Sequence, residues 1–321
     1  MLDVEASEQM LTFPTTFGLV DRLAHAPVVR TLARVRKHPH ELAYTRYPAS
    51  EAARPGALPI VLLHGLSGTQ RHWEALATRI SEHGEVITID LPGFGQSPAP
   101  DEWTLDGVSD AIGEQLEAIG IDRFLLVGHS LGGTVGATLA TRQPDRVAGL
   151  CLVSPAGFWS RRFASLASRR YQLAFEVWRH GLRFGASSAM KATPIRSLAF
   201  SLMVHRPLES LQPGEAEALV AGAAQGRSTM AAREAAIQAD LFDVARELRQ
   251  PVELIWGRED RITTFDSAAR VARTIPDVRT HFIDDVGHLV MYEDRDVIVN
   301  AVASLVERTR GRSSRLKRAA G

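Results

Sequence analysis

The sequence predicts an α/β protein with a mostly parallel central sheet, helices on both faces and an inserted helical cap. Three observations predict it. Short apolar runs of strand type recur at Ile60–Leu63, Val86–Ile89, Phe124–Val127, Leu150–Val153, Val252–Trp256 and Thr280–Ile283. Helical patterns at Arg71–Glu82, Leu105–Ala118 and Leu131–Arg142 separate the first four. Near-continuous apolar strands alternating with amphipathic helices imply parallel strands covered on both faces. Between Ser154 and Gln250 the strand rhythm stops, over a stretch too long for an ordinary crossover. That stretch reads as the cap.

Taken in order, residues 1–40 form a leader with one candidate helix, Val20–Val35, in which Pro27 must sit near the start or kink it. Leu42–Tyr47 has the alternation of a strand, and Pro48–Pro59 reads as a loop. The core is expected over 41–156 and 248–308, with the cap at 157–247 divided into helices at about 160–182, 186–206, 213–225 and 228–247. A last helix, Asp294–Arg308, precedes a basic tail at 309–321.

Composition narrows the class. The chain is 45% apolar and 23% charged, with 37 basic against 37 acidic residues, which gives no global pull toward nucleic acid. The single cysteine, Cys151, lies in an apolar run and cannot form an intramolecular disulfide, which fits a reducing compartment. The acidic start Met1-Leu2-Asp3-Val4-Glu5 lacks the pattern of a secretory signal. The longest apolar candidate, Leu182–Val204, is broken by Arg183, Lys191, Pro194 and Arg196, so a cytoplasmic location is expected.

The stretch most loaded with chemistry is Gly128-His129-Ser130-Leu131-Gly132-Gly133, which joins an apolar strand to a helix. Ser130 stands at the apex of that sharp turn, where a non-glycine residue is held in strain. Gly128 and Gly132 lack the Cβ that would keep strand and helix apart. In parallel sheets ligands bind beyond the carboxyl ends of the strands, and polar motifs stand at those places. They are His64-Gly65-Leu66-Ser67-Gly68, Asp90-Leu91-Pro92-Gly93-Phe94-Gly95-Gln96-Ser97, Trp256-Gly257-Arg258-Glu259-Asp260 and Val286-Gly287-His288.

A serine, an acid and a histidine thus follow three different strands, in that order. The order and the motifs around it resemble the α/β-hydrolase superfamily over roughly residues 42–308. The resemblance implies Ser130 as nucleophile, His288 as general base and Asp260 as its orienting acid, with the backbone N–H groups of Leu66 and Leu131 as oxyanion hole. Glu259 competes with Asp260, and the family's usual spacing favours Asp260. Some members carry the acid after the strand that follows the elbow, where this chain has Ser154. His64, Gly65 and His129, with the cap aromatics Trp159 and Phe163, are expected around the substrate. His64 and His129 are expected to shape the motifs rather than to catalyse.

No metal site and no cofactor are expected. Gly93-Phe94-Gly95 is half of a dinucleotide fingerprint, but Pro98 stands where the third glycine belongs. His38-Pro39-His40 has no partnered Cys or carboxylate cluster. From Gly157 to Ser210 there are nine Arg or Lys residues against Glu176 and Glu209, interleaved with aromatics, and Arg308 to Arg318 adds six more basic residues. A solvated face over an apolar pocket side explains this best, while an anionic carrier or a membrane surface is the sharper alternative partner.

The expected activity is hydrolysis of a small carboxylic ester with a hydrophobic acyl part, through an acyl-enzyme. A thioesterase or acyltransferase, and a hydrolase of carbon–carbon bonds in β-diketone-type substrates, would keep the same triad. A receptor or accessory protein that binds a small molecule without turnover would keep the fold.

Overall fold

The computed structural model describes residues 41–158, 204–205, 215, 219, 222 and 226–319, with the backbone alone over 313–319. The leader at 1–40 and most of the cap, including Trp159 and Phe163, lie outside the described residues.

The apolar runs form the strands β1 (Tyr44–Tyr47), β2 (Ile60–Leu63), β3 (Val86–Ile89), β4 (Phe124–His129), β5 (Val147–Val153), β6 (Val252–Gly257) and β7 (Val278–Ile283). They make one sheet in the order β1-β3-β2-β4-β5-β6-β7. The pair β1–β3 is antiparallel, and every other pair is parallel. Every residue of β2 to β6 is buried, because both faces are covered, whereas the edge strand β7 is only partly buried.

Among the described residues the helices are α1 (Glu74–Ile80), α2 (Leu105–Ala118), α3 (Leu131–Arg142), α4 (Thr229–Gln238), α5 (Leu241–Glu247), α6 (Ala268–Thr274), α7 (Val290–Glu293) and α8 (Arg295–Ala319). Alternate strand residues point to opposite faces. Val61, Leu63, Ile87, Leu126, Leu150 and Leu254 share one apolar layer with Ile112 and Leu116 of α2, Val135 and Leu139 of α3, and Phe242 of α5. Ile60, Leu62, Val86, Val127, Cys151 and Ile255 share the other with Leu76 and Ile80 of α1 and Ile298, Val302 and Leu305 of α8. Cys151 is buried, and its thiol is held far above its usual range by burial and then by the charge of Glu253.

Four elements differ from expectation. A 3-10 turn, Gln70–Trp73, precedes α1. The helix expected at 228–247 is two helices, because the Asp240 side chain accepts from the Phe242 N–H and starts α5 anew. Ala232 and Ala236 of α4 and Leu241, Phe242 and Ala245 of α5 join the apolar layer beside α2 and α3. The last helix runs on through the basic tail to Ala319. Thr309 still packs at the sheet, where a Cβ on Gly149 would meet its Cγ2 at 2.8 Å, and no proline follows to stop the helix. Helix α6 buries only Ala268 and Val271 in seven residues, too little for a periodic signal.

Candidate active site

The register levels the carboxyl ends of the central strands: Leu63 pairs with Gly128, His129 with Val153, and Val153 with Ile255. Ser130 follows directly, with φ 50° and ψ −114°, a left-handed conformation that a serine adopts only under constraint. The constraint is visible. The Ser130 N–H donates to Val153 O at 2.9 Å, and its carbonyl accepts from Gly133, Thr134 and Ala156 N–H. A Cβ on Gly128 would stand 2.3 Å from Gly132 O, and one on Gly132 would stand 2.4 Å from Leu63 O. Only hydrogen fits at either position, as the sequence implies.

Asp260 and His288 come from farther out in the sheet. The chain after β7 folds back across the end of β6: Glu259 N–H donates to Val286 O at 3.0 Å, and a Cβ on Gly257 would meet Val286 O at 2.2 Å. That return path brings His288 from the sheet edge to β4, where His129 Nε2–H donates to His288 O at 3.0 Å. His288 Nδ1–H donates to Asp260 Oδ2 at 2.8 Å. Its Nε2 is therefore the nitrogen with a free lone pair.

Ser130, Asp260 and His288 are all buried. Burial pushes the Asp260 carboxyl up, but the charge of His288 and hydrogen bonds from His288 and Thr263 outweigh it and hold the group below its ordinary value. Glu259 is only partly buried, and of the two acids it is Asp260 whose carboxylate meets His288.

Leu131 opens α3, so its N–H has no acceptor within the helix. The loop of Gly65 and Leu66 lies against the elbow, since a Cβ on Gly65 would come 3.1 Å from Ser130 Cβ. His64 departs from the expected place at the substrate. Its Nδ1–H donates to Gly65 O at 2.8 Å and its Nε2 accepts from Leu91 N–H at 3.0 Å, so neither nitrogen is left for a ligand. Full burial holds it neutral, down to about 4 despite the bond to Gly65. It ties the loop of Gly65 and Leu66 to the loop after β3. Asp90 completes the tie by accepting from Gln70 N–H at 2.7 Å and Gln96 N–H at 3.0 Å.

The sequence reading missed two groups. Thr263 donates its hydroxyl to Asp260 Oδ2 at 2.7 Å. Its signal was local: Asp260 Oδ1 accepts from Ile262 N–H and Thr263 N–H, an Asp-x-x-Thr turn legible in the residues. Glu293 accepts from Gly287 N–H at 2.9 Å and His205 N–H at 2.7 Å, tying the histidine loop to the cap. No spacing announces a contact across 88 positions. Gly222 of the cap region packs on the loop of Leu66 and Ser67, where its Cβ would meet Ser67 O at 2.5 Å. Among the described residues, no helix is long and apolar enough to cross a membrane, and no group of three or more His, Cys, Asp or Glu is placed to hold a metal.

These features define an α/β-hydrolase. The chain belongs to the α/β-hydrolase fold family, whose model matches residues 59–295. It is 25% identical over 252 residues to a protein assigned as carbamate hydrolase RutD from Rhizobium rhizogenes, covering 78% of this chain and 92% of that one. To the human monoacylglycerol lipase ABHD6 it is 23% identical over 269 residues, covering 82% of this chain and 80% of the lipase. A solved thermophilic esterase from Thermogutta terrifontis has a similar fold, with a TM-score of 0.66, 24% identity and coverage of 84% of this chain and 93% of the esterase.

Proposed function

We propose that this enzyme is a serine hydrolase that cleaves a small carboxylic ester with a hydrophobic acyl part, through an acyl-enzyme on Ser130. The observation that carries the reading is the 2.8 Å bond from His288 Nδ1–H to Asp260, on a loop anchored to the residue beside Ser130. With Nδ1 committed, His288 Nε2 takes the Ser130 proton as Oγ attacks the carbonyl carbon. The Leu66 and Leu131 N–H groups receive the oxyanion. Collapse breaks the acyl–oxygen bond, and the alcohol leaves with the proton from His288. Water then attacks the acyl group on Ser130 with the same base, and the carboxylic acid departs.

Relatives named as a monoacylglycerol lipase and an esterase favour an ester over the thioester and carbon–carbon alternatives. The test is labelling with a fluorophosphonate probe, read by intact mass on wild type and Ser130→Ala. One adduct on wild type and none on the variant is expected, with kcat toward p-nitrophenyl esters lowered by about 10⁴- to 10⁶-fold in the variant. A folded wild type that takes no adduct and hydrolyses no ester supports the binding-protein alternative instead. Faster turnover of thioesters or β-diketones would move the substrate class.

A further inference from the structure

We infer that Thr263 is a positioning residue of this site, holding the Asp260 carboxylate toward His288 and drawing off part of the negative charge that His288 would otherwise face. The inference rests on the reading of Ser130, His288 and Asp260 as a catalytic triad. Thr263 is buried, and its hydroxyl has one hydrogen and three polar neighbours. Asp260 Oδ2 is at 2.7 Å, Ser154 O at 3.2 Å and His288 Nδ1 at 3.3 Å. The charged, nearest acceptor takes the hydrogen, because bonds to an ionised oxygen are shorter and stronger than neutral ones.

Both carboxylate oxygens are then fully used. Oδ1 accepts from Ile262 N–H at 2.8 Å and Thr263 N–H at 2.9 Å, and Oδ2 accepts from Thr263 O–H and His288 Nδ1–H. A carboxylate offers about four such sites, so this one has no freedom to swing away from the ring. Every donor also spreads its charge, and Thr263 shares the oxygen that faces the histidine. Removing that donor leaves Oδ2 to His288 alone, which stabilises the imidazolium more strongly.

The other charged or titratable groups around His288 stand apart from this hydroxyl. The His129 ring packs at 4.7 Å from the side of β4, His72 acts electrostatically on His129, and Glu293 binds the preceding Gly287 N–H. The backbone at 263 is held separately, since Trp256 Nε1–H donates to Thr263 O at 2.9 Å. A change confined to the side chain therefore leaves the turn in place.

The experiment compares wild type, Thr263→Val and Thr263→Ser in kcat/KM for a p-nitrophenyl ester from about pH 5 to 9, with melting temperature as control. Thr263→Val keeps the shape without the hydroxyl. It should lower kcat about ten-fold with KM little changed, and move the acid limb of the profile up by about half a pH unit or more. Thr263→Ser should restore both. A valine profile that overlays wild type, or a serine variant that behaves as valine, overturns the inference. If the valine variant does not fold, Thr263→Ala is read against Thr263→Ser with the same two outcomes. Failure of the triad reading would show in wild type, as no adduct on Ser130, whereas a labelled Ser130 with unmoved limbs removes Thr263 alone.

Discussion

The ring of His129 packs against the ring of His288 with centroids 4.7 Å apart, and its Nε2–H donates to the His288 carbonyl at 3.0 Å. This contact spans 159 positions and fastens the residue beside Ser130 to the backbone of His288. The two imidazoles differ in what they are allowed to do. Burial, and then the charge of His288, keep His129 well below the ordinary histidine range. His129 therefore stays neutral, and in the proposed mechanism no second cation opposes the one that forms on His288.

Asp260→Asn tests the hydrogen-bond polarity of the site. The asparagine oxygen would keep the Ile262 and Thr263 N–H bonds, and its NH₂ would then face His288 Nδ1. That donor forces the proton onto Nε2, the nitrogen that must accept from Ser130. We expect kcat to fall by about 10⁴-fold with the fold intact. Steady-state kinetics beside circular dichroism checks it, and a loss of less than about ten-fold would remove Asp260 from its orienting role.

The buried histidines should make stability depend on pH in a defined direction. Burial lowers His64 in the folded state from 6.5 to about 4, so below pH 6.5 the unfolded chain binds a proton that the folded chain refuses. The contribution is complete above that pH, declines as pH falls and levels off below about 4, amounting to roughly 3 kcal/mol for this residue. His129 adds in the same direction. Urea unfolding at several pH values, on wild type and His64→Ala, should give a shallower slope for the variant by about one proton. Parallel slopes would show that His64 is solvated.

Stability and activity should separate at Glu253. This fully buried carboxylate on β6 accepts from His281 Nε2 at 2.6 Å, Ser304 Oγ at 2.8 Å and an Arg308 guanidinium N–H at 2.9 Å. Burial raises its carboxyl, and these three bonds outweigh that and lower it. It belongs to the end of the strand opposite Gly257, which leads to Asp260. Glu253→Gln leaves Arg308 its ion pair with Asp277 but removes the buried charge that His281, Ser304 and Arg308 share, and should cost about 2 kcal/mol, with kcat/KM per folded molecule unchanged. Denaturant titration and kinetics on the same preparation check both parts.

The sequence by itself determined the strand rhythm and the strand–turn–helix elbow at Ser130. Those follow from local rules: apolar runs must be covered on both faces, and Gly128-His129-Ser130-Leu131-Gly132 permits only a strand, a sharp turn and a helix. The candidates Ser130, Asp260 and His288 were legible because each stands shortly after a strand, Ser130 directly after His129, Asp260 three residues after Gly257 and His288 five after Ile283. Tertiary structure alone decided the partners. Whether His64 meets a ligand or Leu91 N–H depends on where β3 lies beside β2, which no local pattern states. The same holds for His129 on His288 O, and for Glu293 between Gly287 and His205. Hydrogen bonds act over about 3 Å, while the residues they join lie tens of positions apart along the chain, so only the folded path brings donor and acceptor together.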